Sequence, residues 1–147
     1  MTLFARILRP SAIVLAHCDG PCGVYDPASA RIAAEAVLSM EKKIAALGDA
    51  QDLATVNTRT RFIDIKESQA EIAKHEIDVL WHDYFKPEHL EKYPNLHDTF
   101  WKAAKLCSKN KTESDPANGE ALLSAIEEIH GIFWATKGRD VAFYRAS

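Results

Sequence analysis

Apolar residues recur at helical spacing along most of the chain, and four stretches are predicted as amphipathic helices. In the first, Ile32, Ala36, Val37, Met40 and Ile44 mark one face. Asp26-Pro27 opens it, the aspartate placed to cap and the proline in a first turn where its missing N–H costs nothing, and Gly48 stops it. The second runs from about Leu53 to Phe85 with a stripe of Val56, Ile63, Ala70, Ile77, Leu80, Trp81 and Tyr84, and Pro87 ends it. A shorter third, from about Pro94 to Leu106, turns Leu96, Phe100, Ala103 and Leu106 inward, and a polar loop from Ser108 to Ser114 follows. Asp115-Pro116 repeats the opening device, and the fourth helix buries Leu122, Ile126, Ile129, Ile132 and Phe133 before Gly138. No strand-like alternation of useful length interrupts this pattern, and no internal repeat or second domain is evident. The expected fold is all-α: an antiparallel up-and-down four-helix bundle over residues of about 26–138, with a short tail.

Two segments break the helical rhythm. Met1 to Ala16 carries Arg6 and Arg9 but no acid, then Pro10 and the short apolar run Ala12 to Ala16. Val14 and Ala16 resemble a signal-peptidase site, yet the run falls short of the roughly 7–15 apolar residues of a secretory core. The segment reads as a leader removed by a processing protease, leaving a domain over 17–147. The expected location is cytoplasmic, with export by so short a leader left open. Its removal takes the net charge from −3 to −5, since only its two arginines are lost.

Composition narrows the function classes. The 147 residues are 47% hydrophobic and 27% charged, which is the balance of a folded domain rather than a disordered one. A net charge of −3 without a long basic run gives no footprint for nucleic acid. No stretch approaches the roughly 18 consecutive apolar residues of a membrane helix. Three cysteines cannot build a disulfide scaffold, but two of them stand in the second irregular segment, the turn-rich His17 to Tyr25, HCDGPCGVY.

His17, Cys18 and Cys22 gather an imidazole and two thiols in that segment. The spacing Cys-x-x-x-Cys is not that of a thioredoxin-like redox pair. A loop disulfide between Cys18 and Cys22, an opportunistic zinc site on a partial ligand set, and a hook that only stores or delivers nickel or copper all fit these residues. Cleavage after Ala16 adds a fourth possibility. His17 then becomes the N-terminus, and its α-amine, the peptide nitrogen of Cys18 and the Cys18 sulfur can close two fused five-membered chelate rings on one metal. Cys22 would complete a planar N2S2 set after the Gly20-Pro21 turn. Planar geometry suits Ni(II) or Cu(II), whereas zinc prefers a tetrahedron.

At this point the chain resembles the nickel-dependent superoxide dismutases, whose N-terminal hook reads His-Cys-Asp-x-Pro-Cys-Gly-x-Tyr. The match is His17-Cys18-Asp19-Gly20-Pro21-Cys22-Gly23-Val24-Tyr25, followed by Asp26-Pro27. It continues in Ala73-Lys74-His75, Val79-Leu80-Trp81, Asp83-Tyr84-Phe85-Lys86-Pro87, Glu91-Lys92-Tyr93-Pro94 and Ile132-Phe133-Trp134, so it covers His17 to about Lys137. The resemblance implies an oxidoreductase that turns two superoxide anions and two protons into O2 and H2O2 by Ni(II)/Ni(III) cycling. It implies one nickel per subunit, held by the amine and imidazole of His17, the amide nitrogen and thiolate of Cys18, and the thiolate of Cys22. Two thiolates and an amidate place three negative charges on the ion, which stabilises Ni(III). A homohexamer and a cis Gly20-Pro21 bond are implied as well, the latter plausible because only X-Pro bonds adopt cis cheaply.

The same resemblance assigns Tyr25 a place beside the open face of the metal, controlling anion access, and makes Lys86 a cation near the entrance. Tyr84 is expected either beside the site or in the core, and Asp19 ties down the hook. One departure stands out: the family's glutamate and arginine that orient the axial imidazole are replaced by Ala33 and Gln69. Three other signals point to packing instead. His75, His82 and His89 recur every seven residues but read as surface or packing groups. Glu127-x-x-His130 is half of a di-iron motif whose second half is missing, and Cys107 reads as a small buried hydrophobe. Trp81, Trp101 and Trp134 are expected as core or interface anchors.

Overall fold

The computed structural model describes residues 22–146. Within them, α1 spans Ala28–Ala46, α2 Leu53–Val79, α3 Pro87–Lys92, α4 Leu96–Thr112 and α5 Pro116–Thr136, and a π-helical turn over Leu80–Tyr84 prolongs α2. The described residues contain no strand. The four long helices form an up-and-down bundle in which α1 and α4 each pack against α2 and α5. Side-chain pairs give the antiparallel register. Between α2 and α4, Trp81 lies against Phe100 at one end and Lys66 bonds the Asn110 carbonyl at the other. Between α4 and α5, Thr99 bonds Glu128 and Asn110 bonds the Asn118 carbonyl.

Local chemistry sets most helix boundaries where the sequence places them. The Asp26 carboxylate accepts from the Ala28 amide at 2.9 Å, and Asp115 accepts from the Ala117 amide at 2.9 Å with Pro116 in the first turn. Gly138 stops α5 at a positive φ of 66°, the Arg139 amide reaching back to the Trp134 carbonyl and the Gly138 amide to that of Ala135. That is the six-to-one, five-to-two closure that favours a glycine.

Small side chains are frequent in the buried faces of α1 and α2. Ala30, Ala33 and Ala34 on α1 and Ala70 and Ala73 on α2 are all buried. Larger side chains fill the rest of the core: Ile77, Leu80, Leu96, Phe100, Leu122, Ile126, Ile129 and Phe133. Cys107 is fully buried here, and burial pushes its thiol up to about 12, as expected of a small hydrophobe.

The structure corrects four expectations. Ile32 is 58% exposed, and the inward face of α1 is instead Ala30, Ala33, Ala34, Val37 and Leu38. Val56 is exposed, since α2 outruns the core at its first turn. The third long helix runs to Thr112 rather than stopping at Leu106, through residues expected to form a loop. Its final carbonyls find a donor in another helix: the buried Lys66 ammonium of α2 bonds the carbonyls of Asn110, Lys111 and Glu113. Finally, the second helix is not α-helical to Phe85. Its last turn widens, the Phe85 amide bonding the Leu80 carbonyl at 3.0 Å, and α3 follows as a separate turn opened by Pro87. The extra residue brings Leu80 and Phe85, five apart, both into the core.

Candidate metal centre

The predicted site residues divide at Cys22. His17, Cys18, Asp19 and the Gly20-Pro21 bond, together with the leader, lie outside the described residues. Cys22 is exposed and is one of two free thiols among the described residues, the other being the buried Cys107. Gly23 follows with φ of 65°, a conformation that side chains with a Cβ resist, and turns the chain toward the bundle. Val24 then points outward while Tyr25 tucks against the core.

Cys22 thereby opens onto a recess of about 370 Å³. One wall is the incoming chain, Cys22, Val24, Tyr25 and Asp26 with Ser29 of α1; the other is Glu76, Val79 and Leu80 at the end of α2. Two elements therefore fix this concavity: the capped start of α1 and the close of α2 at its π-helical turn. Widened turns of this kind recur at functional sites.

That turn also sets Tyr84, which stands behind Tyr25 with ring centroids 5.7 Å apart. Tyr84 is held on every side: Phe133 at 4.5 Å, Phe85 at 5.0 Å and a stacked His89 at 5.7 Å. Its hydroxyl lies 2.6 Å from Thr136 Oγ1, which itself donates to the Phe133 carbonyl at 2.6 Å. A hydroxyl carries one proton, so Tyr84 must donate to Thr136. Tyr84 thus packs against the core and against Tyr25 at once, with its proton committed to Thr136.

Lys86 is exposed just before α3, where its amide donates to His89 Nδ1 at 3.1 Å. A second cation went unread in the sequence: Lys137 Nζ sits 5.1 Å from the centroid of the Tyr84 ring. Thr136 and Lys137 end α5, remote in sequence from Tyr25, and only the α5 register that buries Phe133 carried a trace of their position. Ala33 is 2% exposed on α1 and Gln69 is half-buried on α2, so the face of the expected glutamate–arginine pair is present without its charges.

The remaining histidines follow their packing readings. His75 and His82 are exposed, and His82 Nδ1 lies 2.8 Å from the Asp78 carbonyl of its own helix. His130 is buried and bonds the Val141 carbonyl through Nε2 at 2.7 Å. Among the described residues no three His, Cys, Asp or Glu side chains converge on a metal position. Trp81 and Trp134 are half-buried against the core, and Trp101 is exposed.

Comparison with known proteins agrees with this geometry. A sequence profile of the family described as nickel-containing superoxide dismutase matches residues 12–137. The chain is 48% identical to the superoxide dismutase [Ni] of Streptomyces seoulensis and 47% identical to that of Streptomyces coelicolor, each alignment covering 92% of this chain and 98% of the relative. Its fold matches the native nickel superoxide dismutase structure at 1.30 Å with a TM-score of 0.75 and 49% identity, over 84% of this chain and all of that one. A structure with nickel ligation of the oxidised state matches with the same TM-score and coverage at 50% identity. A four-helix bundle with an exposed cysteine at a recess beside its first helix, matched over nearly its whole length, places this chain in the nickel-containing superoxide dismutase family.

Proposed function

We propose that the chain is a nickel superoxide dismutase whose metal is held by a mature N-terminus beginning at His17. The ligands are the amine and imidazole of His17, the amide nitrogen and thiolate of Cys18 and the thiolate of Cys22. The observation that carries this reading is the placement of Cys22: a free, exposed thiol at the mouth of a recess, on the chain leading directly back to Cys18 and His17. The donor chemistry fits the ion. Thiolates and amide nitrogen in a plane suit a nickel centre, and a thiol already facing solvent needs no disruption of the core to reach one.

Bound there, nickel supplies a one-electron acceptor and donor, so that two superoxide anions and two protons leave as O2 and H2O2. The chain's own residues do the rest. Tyr25 bounds the recess and presents a phenol, a neutral hydrogen-bonding group suited to a small anion. Tyr84, locked to Thr136 and Phe133, holds the Tyr25 ring in place. Lys137, over the Tyr84 ring that backs Tyr25, supplies positive charge behind the recess, where Asp26 and Glu76 carry the carboxylates. The exposed Lys86 adds a second cation two residues after Tyr84.

The assembly proposed with this function is the homohexamer implied by the family. Ile32, Ile65, Ile72 and Trp101 expose apolar surface on the outer faces of the long helices, which suits subunit contact. Intact-mass and metal analysis of protein from its native host tests the central claim. A mature chain starting at His17, one nickel per chain and rapid superoxide turnover are expected. Retention of Met1 to Ala16, or stoichiometric zinc without nickel, overturns it, and a nickel-loaded chain without turnover leaves a metal carrier instead.

A further inference from the structure

The chain does not end with α5. After Gly138 it reverses and runs back along the α1/α5 seam, alternating inward and outward: Val141 and Phe143 are half-buried, while Ala142 and Tyr144 are exposed. The run lies beyond residues 12–137, the part of the chain that the family profile matches. Each of its contacts engages α5 or α1. Arg139 lies over the Trp134 ring at 4.6 Å, the Val141 carbonyl accepts from His130 Nε2 at 2.7 Å, and the Phe143 ring meets the His130 ring edge-on at 5.3 Å. Arg145 pairs with Glu120 at 2.9 Å and reaches Glu127 at 3.7 Å.

The last contact crosses to α1. The Ala146 amide donates to both Glu35 oxygens, at 3.1 and 3.0 Å. Glu35 is only 7% exposed, and its other partner is Arg31 at 2.9 Å, one turn back on the same helix. A carboxylate so far out of water requires donors, and the tail supplies one that the helices do not. The buried His130 likewise has its ring nitrogen satisfied by the tail.

We propose that residues 139–146 form a strap that runs back along α5 from its last turn and ties the first turns of that helix to α1 through the neighbouring Arg145–Glu120 and Ala146–Glu35 contacts. The α1/α5 seam is on this reading an interaction surface whose partner is the chain's own extended C-terminal segment. The inference is independent of the metal's identity, because no strap contact involves the recess.

Hydrogen exchange and thermal unfolding of the full chain test it, beside a chain stopped after Gly138 and a full-length Phe143→Ala variant. The unaltered chain is expected to protect amides within 139–146. Truncation is expected to lower the unfolding midpoint by about 5 °C and to speed exchange in the first turns of α5 about tenfold. Phe143→Ala, which keeps every backbone contact, is expected to shift both in the same direction by less. Exchange of 139–146 at the rate of a free peptide in the unaltered chain overturns the proposal. So do midpoints and α5 protection left unchanged by both variants.

Discussion

Among the positions where this chain departs from the resemblance described above, Ala33 and Gln69 stand out, the first buried and the second half-buried. Ala33 sits on the buried face of α1, with almost no exposed surface. A lone Ala33→Glu would place a carboxylate there without a partner, at a cost of about 2–4 kcal/mol, whereas adding Gln69→Arg supplies the opposite charge. We expect the double variant to be more stable than Ala33→Glu alone and to alter the axial-nitrogen splitting in the electron paramagnetic resonance spectrum of the nickel-loaded protein. An unchanged spectrum would show that Ala33 and Gln69 leave His17 held in the usual way. Glu41 presents a different case. It is fully buried, and neither of its oxygens has a hydrogen-bond partner. Burial raises its pKa to about 7, against the pull of Lys66 across the core, with Asp115 adding to the rise. The folded state therefore prefers the proton more than the unfolded chain does. That preference contributes fully below the ordinary carboxylate range and is lost as pH rises through about 7. The Glu41→Gln variant should lack this decline, gaining on the parent by on the order of 2 kcal/mol between pH 4.5 and 8, as read from denaturant midpoints across that range.

At the scale of helices, the sequence announced starts and stops more clearly than register. Asp26, Asp115 and Gly138 act within their own turns, so their roles are written locally, and each behaves as read. The extent of α4 was not legible, because what sustains it is Lys66, far away in sequence and hidden among charged neighbours on α2. The π-helical turn was equally silent: its residues suit an α-helix, and only packing of Leu80 and Phe85 on one core forces the extra residue. Gly119 shows how contact overrides propensity. In an isolated helix, alanine outranks glycine by about 1 kcal/mol. On α5, however, a Cβ at this position would lie 2.5 Å from Glu41 Oε2 and 3.0 Å from the Leu38 Cα of α1. Gly119→Ala should therefore destabilise the protein, by about 1–3 kcal/mol, despite the better helix former. A raised thermal midpoint in that variant would mean that α1 and α5 part without cost.

For the molecule as a whole, the bundle and the proposed metal hook are written in the sequence in different ways, for a physical reason. Helical periodicity is a property of many residues, so the bundle survived errors such as the misread face around Ile32. The hook rests on a few residues whose meaning comes from their order, His17-Cys18 to Cys22, and that order is visible only in the sequence. What the sequence left out was the wall opposite: Glu76, Val79 and Leu80 join Cys22 and Tyr25 only after α2 folds back on α1. The division has a consequence for how such a protein comes to life. Because Cys22 is exposed and stands outside the buried core, the scaffold is expected to assemble without its ion. Under the proposed ligand set the uncut precursor is then a zymogen, folded in advance and armed by a single proteolytic event, so oxidant defence would be timed by a protease rather than by synthesis.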